Sequence, residues 1–281
     1  MSLFAKIRNR FHTLKENSQN SDSPNDNTTN NSNSEIVESS EVKKDSPKSE
    51  YHHQEIAQLE EPMITLLEQL KPNFDHGLYY LIIGDDTSGR IPTLVMHQVV
   101  DYISEHQNLP KVPTTFVQSG RVIDRGKIKL QVENLKSRYK PLRESPKVLI
   151  VTEYISSGRS INKLTDALNL SGIDFDIATI QTFPADYQQE FRSSLNPQQR
   201  IYTGFPEGIQ SPISGGNVGS PNIHGKYYIT GLEAARVGGN PEVSVIKSNP
   251  YVRLKTQQAR EDVKTLSGKL INHLYPQEVA A

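Results

Sequence analysis

Apolar and polar positions alternate in blocks along the chain. Ile56, Leu59, Met63, Leu66, Leu67 and Leu70 recur at helical spacing within 54–70, which predicts a helix. Pro62 falls inside that stretch, so a kink or a break into two helices is expected. Leu78–Ile83 is a continuous apolar run, the pattern of a strand covered on both faces. A glycine-containing turn follows. Ile91–Ile103 then returns to helical spacing, with Pro92 where a first helical turn tolerates proline. The unit recurs downstream: Val148–Val151 is a short buried strand, 153–160 a polar loop, and Ile161–Leu170 a helix that Gly172 can end. Ile177–Ile180 reads as the next strand. Repeated strand–loop–helix units predict an α/β fold, a mostly parallel sheet with helices on both faces. Ligands of such sheets bind at the carboxyl ends of the strands, the edge from which both polar loops leave.

The pattern loosens from about residue 200. Nine of the 17 glycines lie between Gly204 and Gly239, among prolines and tyrosines, which predicts loops with short strands. A final helix over 255–274 aligns Ala259, Val263, Leu266, Leu270 and Leu274 on one face for packing.

The polar residues concentrate near the start. Residues 16–50 hold nine Ser, seven Asn and only three apolar residues, too few to offset the backbone entropy lost on ordering, about 1–2 kcal/mol per residue. This stretch reads as a disordered linker ahead of one domain over 51–281. Residues 1–15 differ again: Lys6, Arg8, Arg10 and Lys15 occur without an acid, and Leu3, Phe4, Ile7, Phe11 and Leu14 recur at helical spacing. A short basic amphipathic helix for a membrane surface or a partner's groove fits residues 3–14. An organelle-targeting helix and a plain frayed terminus fit as well.

The net charge of -1 is therefore a sum of unlike parts. Residues 1–15 carry +4, residues 16–50 carry eight acids against three lysines, and 51–281 is balanced. There is no strong nucleic-acid signal in that balance. The absence of cysteine excludes disulfides, a cysteine nucleophile and thiolate zinc sites. No apolar run approaches the roughly 18–20 residues that span a bilayer, and a secretory h-region is absent, so a cytoplasmic protein is expected.

Two loops carry the chemistry. In 147–164 an acid, Glu153, ends the strand, and Ser156-Ser157-Gly158-Arg159-Ser160 leads into a helix. Gly158 permits close backbone approach, the serine hydroxyls can donate, and the helix N-terminus offers free N–H groups to a phosphate. Glu153 is positioned to accept from hydroxyls of an attached sugar. The second loop, Gly84-Asp85-Asp86-Thr87-Ser88-Gly89-Arg90, follows the Leu78–Ile83 strand. Ser88, Gly89 and Arg90 suit phosphate, whereas Asp85 and Asp86 suit it only through a bridging cation, or else meet sugar hydroxyls. Taken singly, the first loop reads equally as a serine N-cap and the second as ordinary turn chemistry.

The order strand, acid, two apolar residues, S-S-G-R-S, helix resembles the phosphoribosyl-pyrophosphate (PRPP) motif of the type I phosphoribosyltransferases, over roughly 80–200. The resemblance implies that Thr152 and Glu153 hold the ribose and that Ser156–Ser160 hold the 5-phosphate. It further implies that Ser88, Gly89, Arg90 and Arg121 hold pyrophosphate, with Mg²⁺ as cofactor near Asp85 and Asp86. Two departures stand out. Thr152 replaces the first acid of the family's pair, keeping a hydrogen-bonding oxygen but losing a charge. Ser156 stands where members acting on 6-oxopurines often carry aspartate, which argues against hypoxanthine or guanine as acceptor. Family members have a mobile lid corresponding to 113–143, where eight basic residues and two acids lie between Arg121 and Arg143. There Arg121, Arg125 and Lys127 would close on pyrophosphate; a solvated hairpin and a nucleic-acid contact are the alternatives.

The resulting expectation is an enzyme. It transfers ribose 5-phosphate from PRPP to a nitrogen base or other amine, with Glu153, Arg125 and Lys127 assisting and a loop-rich 200–250 as the hood. A non-catalytic PRPP or nucleotide sensor of the same fold is the alternative, and a sugar-phosphate hydrolase using Asp85 or Asp86 is a third reading. His224 reads as structural, the glycine loop 215–219 resembles a phosphate loop only weakly because no helix pattern follows it, and His52-His53 read as an adventitious metal site at most. The exposed loops and the C-terminal helix allow a homodimer.

Overall fold

The computed structural model describes residues 50–85, 89–119, 123–141, 146–155, 157–182, 185–205, 232–237, 240–245 and 250–276. The N-terminal helix and linker readings, Asp86, Ser88, Arg121, Ser156, His224 and most of the expected hood lie outside those residues. The chain divides between Lys48 and Ser49, and every described residue belongs to the second unit.

The elements run α1 (Gln54–Ala57), α2 (Glu60–Asp75), β1 (Tyr79–Asp85), α3 (Arg90–His106), β2 (Thr114–Val117), α4 (Arg125–Arg138) and β3 (Lys147–Ile155). They continue α5 (Arg159–Leu170), β4 (Phe175–Thr182), α6 (Ala185–Ser193), β5 (Ile201–Thr203), β6 (Leu232–Val237), β7 (Asn240–Val245) and α7 (Pro250–Leu274). The expected break near Pro62 occurs at Gln58–Leu59, leaving the proline in the first turn of α2, where its missing N–H costs no helical bond.

Five strands form one all-parallel sheet in the order β2-β1-β3-β4-β5, and β6 and β7 pair as an antiparallel hairpin. The direction of progression reverses between β1 and β3. A right-handed crossover from β1 outward to β2 puts α3 on one face, while the crossovers running the other way put α4, α5 and α6 on the opposite face. The two cores follow that division. Ile82, Leu149, Val151 and Ala178 pack with residues of α2, α3 and α7. Ile83, Val148, Ile150 and Ile177 pack with Ile128 and Val132 of α4, with α5, and with Phe191 of α6. Because β1, β3 and β4 are covered on both sides, they need the continuous apolar runs seen in the sequence.

Two expectations need correcting. The polar loop after β3 is shorter than 153–160, since the strand continues to Ile155 and α5 begins at Arg159. Residues 113–143 are neither hairpin nor wholly loop, because they contain β2 and the 14-residue helix α4. Asp124 caps α4 by accepting from the N–H groups of Gly126 (2.8 Å) and Lys127 (3.2 Å), and Ile128 and Val132 anchor the helix.

His52 and His53 form a clasp. Both donate their backbone N–H to the buried Asp262 of α7, at 2.9 and 2.8 Å, and both Nδ1 atoms lie at 3.0 and 2.8 Å from the same carboxylate. Lys269, one further stretch along α7, pairs with Glu50 at 2.7 Å and Glu60 at 3.2 Å.

Candidate functional site

The reversal between β1 and β3 leaves a crevice at the carboxyl ends of two neighbouring strands, where the loops on either side run to opposite faces. Both loops singled out from the sequence open there. Gly84 of β1 stands in register with Val151 of β3, and the strands then separate into their loops. Two glycines bring the loops in close. A Cβ on Gly89 would overlap the Val151 carbonyl oxygen and lie 2.9 Å from the Asp85 backbone, so only glycine lets the β1–α3 turn close against β3. Gly158 opens α5 with φ of +73°, and a Cβ there would overlap the Phe191 ring of α6. α5 thus begins with a left-handed residue backed by an aromatic wall, and its first N–H groups are free of intrahelical partners.

Thr152 and Glu153 occupy the last buried turns of β3, at 2% and 1% exposure. Their side chains alternate across the sheet: Thr152 lies on the α5 face with Val148 and Ile150, Glu153 on the α3 face with Leu149 and Val151. Arg159 is exposed at the start of α5, next to the half-buried Ser157. Burial pushes the Tyr154 hydroxyl up to about 12, so that position is a neutral donor at physiological pH.

The β1 side differs in its charge arrangement. Asp85 accepts a hydrogen bond from the fully buried Ser119 hydroxyl at 2.8 Å, which ties the end of β1 to the segment after β2. Arg90 stacks over the Phe116 ring at 4.6 Å. Among the described residues no three acids or histidines cluster for a metal ion. Mg²⁺ commonly keeps only one or two carboxylates and takes its other ligands from substrate phosphates and water, so Asp85 fits such a partial site but not a protein cage.

Of the expected site residues, the fold brings Asp85, Gly89 and Arg90 to one side of the crevice and Thr152, Glu153, Ser157, Gly158 and Arg159 to the other. Ser160 sits in the first turn of α5. Arg125 and Lys127 belong instead to the first turn of α4. Arg125 is 3.7 Å from Asp166 of α5, and Lys163 of α5 donates to the Ile123 carbonyl at 2.8 Å, which holds this turn against α5.

Several residues of the site have no sequence signal. Ser119, Phe116 and Phe191 act through contacts that only the fold creates. Gln181 and Thr182, opposite Tyr154 and Ile155 in register, end β4 beside the crevice. Each is more than nine-tenths buried, and Gln181 Oε1 and Thr182 Oγ1 have no hydrogen-bond partner among the described residues. An apolar cavity of about 240 Å³ lies at the other end of the sheet, by Tyr79, Pro113 and Pro146, away from these polar groups. No family model matches the chain, and no curated protein matches it.

Proposed function

We propose that the crevice binds a phosphorylated sugar, with PRPP the best fit, and that the protein transfers its ribose 5-phosphate to a nitrogen nucleophile with release of pyrophosphate. One observation carries this reading: two loops suited to phosphate leave adjacent parallel strands at the reversal of strand order, with a buried carboxylate between them. The N-terminus of α5, from Gly158 to Ser160, would take the 5-phosphate through backbone N–H groups. Glu153 and Thr152 would accept from and donate to the ribose hydroxyls. Gly89 and Arg90 would meet the pyrophosphate, and Asp85 would be a ligand to Mg²⁺. When bound there, Mg²⁺ would supply neutralisation of the pyrophosphate charge. The chain itself would orient the sugar and exclude water, the two terms that matter most for an oxocarbenium-like transition state.

The second reading, a PRPP or nucleotide sensor without turnover, draws support from Thr152. One charge is missing where a developing positive sugar needs it. A single pair of measurements separates the readings. Calorimetry with PRPP and Mg²⁺ should show binding that Arg159→Glu abolishes, and a screen of bases and amines should release pyrophosphate. Binding without release from any acceptor selects the sensor; unchanged affinity in the variant overturns the site itself.

A further inference from the structure

A groove runs between α3 and α7 on the outer side of the crevice, with a volume of about 290 Å³. Its floor is aliphatic, formed by Ile91, Leu94 and Val263, and its rim carries Arg90, Arg260 and Lys264. No acid lines it among the described residues. Charge is sorted over 260–264 of α7. Glu261 and Asp262 face the clasp, where they meet His52 and His53, while Arg260 and Lys264 face the groove. Neither of those two cations forms an ion pair among the described residues. The walls run from residue 90 to 98 and from 256 to 264, about 12 Å each at ~1.5 Å per residue.

We propose that this groove is a second ligand site, for a small amphipathic anion: a phosphate or carboxylate head on a flat apolar body. The volume falls near the lower end of small-molecule pockets, roughly 300–1,000 Å³, and suits one nucleotide-sized molecule better than a peptide. The two α7 cations, one helical turn apart, would hold the head by charge-assisted hydrogen bonds, and the aliphatic floor would take the body. Arg90 gives the groove its connection to the crevice. It opens α3 directly after Gly89, the residue packed on the Val151 carbonyl, so an occupant touching Arg90 touches the first turn of the β1–α3 loop as well. The site needs no assumption about the reaction at the crevice.

The test uses the full chain with two probes, adenosine 5′-monophosphate and 1-naphthaleneacetate, and hydrogen exchange as the readout. At least one probe should slow exchange across 90–98 and 256–264. The double variant Arg260→Glu, Lys264→Glu should remove that protection and weaken the affinity at least about tenfold, with an unchanged thermal midpoint. Nucleotide held by its phosphate in the crevice would appear as protection around 157–160 and would survive the charge reversal. Inorganic phosphate and adenosine alone should each bind at least about tenfold more weakly than the joined molecule, since each engages one half of the groove. Protection confined to 157–160, groove protection that persists in the variant, or none with either probe at millimolar concentration overturns the proposal.

Discussion

Gly158 and Gly172 bracket α5 with nearly the same backbone angle, φ of +73° and +68°, and they differ in what surrounds them. Gly172 ends the helix in a Schellman arrangement, its N–H on the Asn169 carbonyl at 3.0 Å and that of Ile173 on the Leu168 carbonyl at 2.9 Å. A Cβ there would meet nothing within 4 Å. At Gly158 a Cβ would lie 2.9 Å from Phe191 Cδ1 and closer still to the root of that side chain. Gly172→Ala should therefore cost only the left-handed penalty, about 1–2 kcal/mol. Gly158→Ala should add an overpacking term of about 1–3 kcal/mol to the same penalty, because Phe191 is buried and cannot swing away. Urea unfolding followed by circular dichroism reads both losses as midpoint shifts at constant slope. Phe191→Ala in the Gly158→Ala background removes Cγ and the ring, leaving only Cβ in conflict, so it should return part of the excess, a coupling of about 1–2 kcal/mol, and should return nothing in the Gly172→Ala background. Equal losses for the two alanine variants would refute the argument that α6 closes the β3–α5 loop from behind.

Two further outcomes follow from buried ionisable groups. Burial alone would raise the carboxyl of Asp262, but the N–H groups and imidazoles of His52 and His53 outweigh it and hold the group below the ordinary aspartate range. The clasp's contribution is thus complete above the unfolded value, about 3.9, and is lost as pH falls through the lower folded value. Asp262→Asn should cost about 1–3 kcal/mol at neutral pH and flatten the acid limb of a urea-midpoint against pH curve. Tyr79 shifts the other way. Burial first, and then the charge of Asp176, to which its hydroxyl donates at 3.0 Å, push it far above the usual tyrosine range. Its contribution should persist to about pH 10 and decline above that, and Tyr79→Phe should cost about 1–2 kcal/mol and remove one late-titrating tyrosinate from the absorbance titration.

The central strands were legible because burial on two faces leaves mostly apolar residues in Leu78–Ile83, Val148–Val151 and Ile177–Ile180, where the buried Thr179 hydroxyl donates to the Gln181 carbonyl. The edge strands were not. Thr114–Val117 and Ile201–Thr203 are three or four residues long and half-buried, so neither an apolar run nor a clean alternation marks them. α4 was misread for a related reason: its buried core contacts are Ile128 and Val132, with the partly buried Leu135 beside them, and mostly polar and charged residues occupy the remaining faces. The family resemblance, with the basic residues there, suggested a lid; over 125–138 a capping aspartate and apolar side chains make a packed helix. In the crevice, glycines and hydroxyls signalled the loops. Ser119, Phe191, Gln181 and Thr182 carried no such mark, because their roles depend on which strands become neighbours. The role of the histidine pair was hidden because its partner, Asp262, lies some 210 residues away.

That separation bears on how the chain reaches its folded state. The core on the α4, α5 and α6 face draws on Leu81 to Phe191, a continuous stretch that can collapse on itself. The opposite core joins Ile56, Leu66 and Leu70 to Ala259, Leu266 and Leu270, and it is fastened by contacts that close loops of more than 200 residues. Closing so long a loop is slow relative to local pairing. A ribosome adds about 5–20 residues per second, so α2 and α3 wait roughly 7–35 s with an apolar face uncovered before α7 arrives. One side of the sheet is therefore the side on which an incomplete chain is exposed to aggregation or to a chaperone, and the clasp marks the end of that interval.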